Sequence, residues 1–226
     1  MRHPVAWAEA AVEIHTFADP DALDDALLRT GLVAVCAFGA RPWTICAPHH
    51  ARSGVSMICD PPRVADNGAG LVAARLAHAL GARLVVACDP TGPDPNKAAG
   101  EGGPYQQALF DADPFELLIE VHGMGASSSP FDVELARGHN RYADCVQLGA
   151  KLQARLPSIS IGRQGAERIR FTARSNHVLT RCDARGVAAY QLELEPWLRL
   201  EAAPAPDQIP ARGVRLIDAL AEALQD

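Results

Sequence analysis

The hydrophobic and polar positions along the chain fall into two repeating patterns, each predicting its own kind of element. Residues 32–38 (LVAVCAF) and 43–49 (WTICAPH) are short, almost continuously apolar runs, the pattern of strands covered on both faces. Residues 82–89 (ARLVVACD), 115–125 (FELLIEVHGMG), 131–138 (FDVELARG) and 187–199 (VAAYQLELEPWLR) also read as strands, and 55–60 (VSMICD) as a further short one. Residues 65–80 (ADNGAGLVAARLAHAL) instead place Leu71, Ala74, Leu76 and Leu80 on one side of a helix that Gly81 ends. Residues 19–32, 142–156 and 212–226 carry helical spacing too, the first behind an acidic, capped start. The β–α–β rhythm over 43–89 predicts an α/β fold with a mostly parallel or mixed central sheet flanked by helices.

Gly and Pro are so dense in residues 90–105 (PTGPDPNKAAGEGGPY) that a long surface loop is predicted, of the length at which loops in compact domains carry function. Residues 201–213 (EAAPAPDQIPARG) read as a tether to the last helix, and no internal repeat is present. One domain over 1–226 is expected, with its motif-bearing core at about 43–200 and a C-terminal helix at about 211–225.

Composition narrows the class. The 226 residues are 48% hydrophobic and 21% charged, enough for one sizeable core. A net charge of −6 and a pI near 5.7 give no electrostatic reason to expect nucleic acid or an anionic membrane as partner. No apolar run approaches the ~20 residues of a membrane span, and the N-terminal stretch lacks the apolar region of a signal peptide. The six cysteines form no CxxC pair, and several sit inside apolar runs, as reduced buried thiols do. These features predict a soluble cytoplasmic protein.

Three apolar strands end on groups able to hold metal or protons: His49 and His50 after Pro48, His122 in IEVHG, and Glu193 with Glu195 in QLELE. Gln191, Glu193 and Glu195 share one face by the period of two. Open α/β sheets gather ligand sites at the carboxyl ends of their strands, so these tips can converge. Two histidines and a carboxylate are the usual ligands of a catalytic zinc, with a separate glutamate to take a proton from water. Each group also has a plainer reading: a solvated loop for the histidine pair, a water-facing edge for Glu193. Asp60 and Asp66 both follow the histidine pair; Asp66 opens the helical pattern, where an aspartate also serves as N-cap. The Gly-Met-Gly after His122 leaves the backbone free to turn around a ligand. Asn96 and Lys97 set an amide donor beside a cation, suited to a substrate carboxylate or to a solvated turn. Arg137, Arg141 and Arg174 are further cations, undistinguished by spacing.

Taken in order, APHH, a carboxylate before a Gly- and Ala-rich helix, DPNK, EVHGMG and YQLELEPWLR resemble the N-formylglutamate amidohydrolase family, relatives of the zinc carboxypeptidases. The resemblance implies a zinc-carboxypeptidase-like three-layer fold and one zinc held by His49, Asp66 and His122. It implies Asn96 and Lys97 as the carboxylate-binding pair, Glu193 as general base, and a small acidic N-acyl amino acid or peptide as substrate. The chain departs from the family in carrying aspartate where glutamate is common, Lys97 for the usual arginine, and His-Gly for the commoner His-Ser. Under the resemblance His50 and Asp60 are the alternatives to His49 and Asp66. The competing class is an inactive relative that binds an acidic small molecule or a partner protein.

Overall fold

The computed structural model describes residues 14–17, 20–111, 114–137, 142–173, 176–200 and 208–225. Its strands are β1 (Ile14–Phe17), β2 (Leu32–Ala37), β3 (Trp43–Ala51), β4 (Met57–Ile58), β5 (Arg63–Val64), β6 (Asp66–Asn67), β7 (Arg83–Cys88), β8 (Leu117–Gly123), β9 (Val133–Arg137), β10 (Ile161–Arg163) and β11 (Ala188–Leu194). Its helices are α1 (Pro20–Ala26), α2 (Ala69–Leu80), α3 (Pro104–Phe110), α4 (Tyr142–Arg155), α5 (His177–Ala184), α6 (Pro196–Arg199) and α7 (Ala211–Gln225). Nine strands form a mixed sheet in the order β1-β2-β7-β3-β8-β11-β9-β10, with β6 alongside β3; β4 and β5 make a separate hairpin. Two neighbour pairs, β2–β7 and β9–β11, are antiparallel, and the rest of this sheet is parallel.

The unbroken apolar runs follow from cover on both faces. Ile45, Leu84, Ile119, Val121 and Leu192 pack against α1, α2, α4 and α7. Cys46, Val85, Leu118 and Ala189 face the other way, toward Tyr105 and Leu109 of α3 and Val178 and Leu179 of α5. Beyond Leu118 and Ala189 that second face turns polar: by the period of two it carries Glu120 and His122 on β8, and Gln191 and Glu193 on β11. The α/β architecture with a mixed sheet is therefore the one the pattern predicts.

Several elements differ from expectation. The helix predicted over 65–80 begins at Ala69, capped by Gly68 at φ 77°, and Asp66 lies on β6 instead of opening the helix. The strand predicted over 55–60 shrinks to Met57–Ile58 of the hairpin. Glu195 lies past the end of β11, at the start of α6, where its Oε2 accepts the amide hydrogen of Ser127 at 3.4 Å. The Gly- and Pro-rich loop ends early in α3, with Pro104 at the first turn, where a missing N–H costs nothing. Part of the predicted tether, together with Arg141 and Arg174, lies outside the described residues. Among the described residues no helix is long and apolar enough to cross a membrane. All six cysteines are unpaired and buried, and burial pushes the thiols of Cys59, Cys88, Cys145 and Cys182 up to about 12.

One side chain binds three strand ends together. Buried Arg199 donates to the carbonyls of Leu194 at 3.2 Å, Met124 at 3.1 Å, and Asn67. The guanidinium fills the space a side chain at 123 would take, since a Cβ there would lie 2.4 Å from the Arg199 Cζ. The glycine after His122 thus admits a guanidinium and does not turn the chain. Arg199→Met is expected to lower stability by about 3 kcal/mol or more, because buried carbonyls lose their donors; equilibrium urea unfolding measures it.

Candidate metal centre

The site begins where β3 and β8 part. Their pairing stops at Cys46 opposite Glu120, and β6 takes the place beside β3, with Asp66 opposite His50. Pro48, which has no N–H for the ladder, sits in a register shift against β7 between Ala47 and His50. Successive side chains then diverge. His49 turns into the gap, while His50 packs on α2, where a Cβ at Gly70 would meet its ring at 2.6 Å. His50 Nε2 lies 3.3 Å from the Leu27 carbonyl, and burial lowers its pKa to about 4. His50 therefore belongs to the core.

In the gap, His49 Nδ1, His122 Nδ1 and Asp66 Oδ2 form a triangle with sides of 3.2, 3.0 and 3.4 Å. A tetrahedral ion with ligand bonds of 2.0–2.1 Å spaces its ligands by about 3.3 Å, so the donor set fits one zinc-sized cation. Among the described residues this is the one cluster of at least three such donors close enough to share an ion. Exposed Asp60 is outside it.

The far side of each ring is backed by a carboxylate. His49 Nε2 lies 2.7 Å from Asp94 Oδ1, and His122 Nε2 lies 3.1 Å from Glu120 Oε2. With Nε2–H donating to these partners, each neutral ring turns an Nδ1 lone pair to the gap and each protonated ring an Nδ1–H to Asp66, the arrangement of carboxylate-backed metal histidines. Arg63, from β5, donates to Asp94 Oδ2 at 2.8 Å. Its NH1 also lies 3.1 Å from His49 Nε2, but a nitrogen donating to Asp94 cannot accept there, so the Asp94 bonds set the geometry.

Charge couples the groups of the gap. Burial opposes ionisation of Asp66, yet hydrogen bonds from His122 and His49 outweigh it and hold the carboxyl well below its usual range. Burial likewise opposes a charged His122, but Asp66 and Glu120 carry its pKa well above normal. Glu193 sits beside His122 in strict register, and Gln191 Nε2 donates to its Oε1 at 2.8 Å. Burial raises its pKa to about 7, only partly offset by His122, which suits a group that accepts and returns a proton near neutrality.

Of the other sequence candidates, Asn96 Nδ2 lies 3.3 Å from His122 Nε2, and its buried Oδ1 has no hydrogen-bond partner in the protein. Lys97 is half-buried at the start of the 3₁₀ turn Ala98–Gly100, where its carbonyl accepts from Gln106 Nε2 at 3.1 Å. Arg137 is packed over Tyr190 and bonded to Asp144, away from the cluster. Sequence reasoning passed over Asp94, Glu120, Arg63, Asn176 and Arg199. Asp94 and Glu120 had a readable signal, each two residues from a candidate it supports.

No protein-family model matches the chain, and no curated protein matches it. Solved structures do. N-formylglutamate amidohydrolase from Ralstonia eutropha JMP134 is 12% identical, with a TM-score of 0.51 over 82% of this chain and 92% of that one. A zinc-free YndL structure is 12% identical, with a TM-score of 0.53 over 86% and 90%. A metallo-carboxypeptidase from Burkholderia cenocepacia is 11% identical, with a TM-score of 0.50 over 90% and 67%. At the level of fold, then, the chain is similar to N-formylglutamate amidohydrolase and metallo-carboxypeptidase structures.

Proposed function

We propose that the protein is a zinc-dependent hydrolase of an amide bond in a small acidic N-acyl amino acid or peptide. A fold hosts many activities, and it is the site that distinguishes them. Its carrying observation is the triangle of His49 Nδ1, Asp66 Oδ2 and His122 Nδ1 with Glu193 in register next to it. Amidohydrolase and metallo-carboxypeptidase neighbours support the same reaction class. His49, Asp66 and His122 would hold the zinc, which supplies Lewis acidity toward water and the scissile carbonyl.

The chain's own groups do the rest. Glu193, fixed through Oε1 by Gln191, takes a proton from the attacking water at its other oxygen and returns it to the leaving nitrogen. Asn96, as amide N–H donor, and Lys97, as point charge, would together bind the acidic group of the substrate. Asp94 and Arg63 keep the His49 ring in place.

Protein purified without chelator is expected to hold about one equivalent of zinc by elemental analysis. It is also expected to hydrolyse members of a panel of N-acyl amino acids and short peptides. Less than about half an equivalent, with no gain on adding zinc, would overturn the metal reading. Zinc without hydrolysis of any panel member would favour a binding protein.

A further inference from the structure

We infer that Glu120 is a positioning residue for His122, and that Asn176 and Gln191 extend the same buried chain to Glu193. The inference rests on the metal-hydrolase reading above and adds how ligand and base are held together. The chain runs from His122 Nε2 to Glu120 Oε2 at 3.1 Å, and Asn176 Nδ2 donates to that same oxygen. Asn176 Nδ2 also donates to Gln191 Oε1 at 3.0 Å, and Gln191 Nε2 donates to Glu193 Oε1 at 2.8 Å.

Its direction is set by a helix end. Asn176 caps α5, its Oδ1 accepting the Leu179 N–H at 3.0 Å. With the oxygen committed to the helix, both amide hydrogens point into the chain, one for Glu120 and one for Gln191. Gln191 must then accept with Oε1 and donate with Nε2, which makes Glu193 an acceptor at Oε1 and leaves Oε2 for chemistry.

Glu120 is a costly group to bury here. It is fully buried, its Oε1 has no hydrogen-bond partner, and the same face one step back carries apolar Leu118 and Ala189. A buried carboxylate in such a setting is costly unless positive charge compensates it. Positive charge at His122, a proton on the ring or a cation held by its Nδ1, meets that need.

The test is zinc affinity, read by competition with a chromophoric chelator, together with steady-state kinetics on the panel substrate the wild type turns over fastest. Glu120→Gln keeps size and is expected to bind zinc about 10–100-fold more weakly, with a metal-free melting midpoint no lower than wild type. Gln191→Leu is expected to keep zinc affinity within about threefold while kcat falls at least about tenfold and KM holds. Wild-type zinc affinity in Glu120→Gln, or wild-type kcat in Gln191→Leu, overturns the inference. So does an equal loss of zinc affinity in both variants, which would mark general collapse. If the wild type itself neither binds zinc nor hydrolyses the panel, the functional reading fails with it, and the wild type alone reveals that.

Discussion

Asp66→Asn is expected to weaken zinc binding by about 10²–10³-fold, while Asp60→Asn leaves it at the wild-type value. Binding of a structural-type zinc is worth about 10–16 kcal/mol, so each of four ligand positions accounts for about 2.5–4 kcal/mol, or roughly two to three decades in affinity. The asparagine keeps the shape of the side chain but removes the charge that sits 3.0 Å from His122 and 3.4 Å from His49. Asp60 is the fair control, because it is the other carboxylate between the histidine pair and α2, and it is exposed. Chelator competition on both variants, with melting curves to establish that both are folded, decides between them. Equal effects of the two substitutions would remove Asp66 from the ligand set.

The contrast between these aspartates marks how far the sequence can be read. Apolar runs ending on His49, His122 and Glu193 exposed three candidates, because strand tips in open sheets point at a shared crevice. What no run could reveal is that β6 would insert beside β3 and carry Asp66 into the gap. A two-residue strand has no periodicity, and its register is set by partners distant in sequence. The apolar run did not choose His49 over His50 either; only the family resemblance did. The choice depends on an irregular register around Pro48 and on the small Gly70 that receives the other ring.

The supporting groups were hidden for a different reason. Asn176 caps a short helix, with Val178, Leu179 and Cys182 on its buried side, that the apolar pattern did not predict. Its second use, as a bridge between Glu120 and Gln191, depends on α5 packing against the polar end of the sheet. Arg199 likewise has no mark in the sequence that sets it apart, yet it is buried and donates to carbonyls of three separate segments. Local pattern identifies an element and its faces; which polar atoms meet across elements is decided by packing.

Glu193→Gln separates binding from chemistry. It is expected to retain zinc at wild-type affinity and to lose hydrolysis by about 10²–10⁴-fold in kcat. Retention follows because Glu193 lies beside the His–Asp–His triangle and is not one of its corners. The glutamine's amide oxygen can still accept the hydrogen bond that Gln191 now gives to Oε1 at 2.8 Å, so the side chain stays in place. What it loses is the ability to hold a proton between the attack of water and the departure of nitrogen. KM is therefore expected to stay close to wild type while kcat falls, since the missing interaction acts in the transition state. Full activity would sink the assignment of Glu193 as base. Loss of zinc along with activity would instead make Glu193 a ligand, and would require a different proton acceptor in the gap.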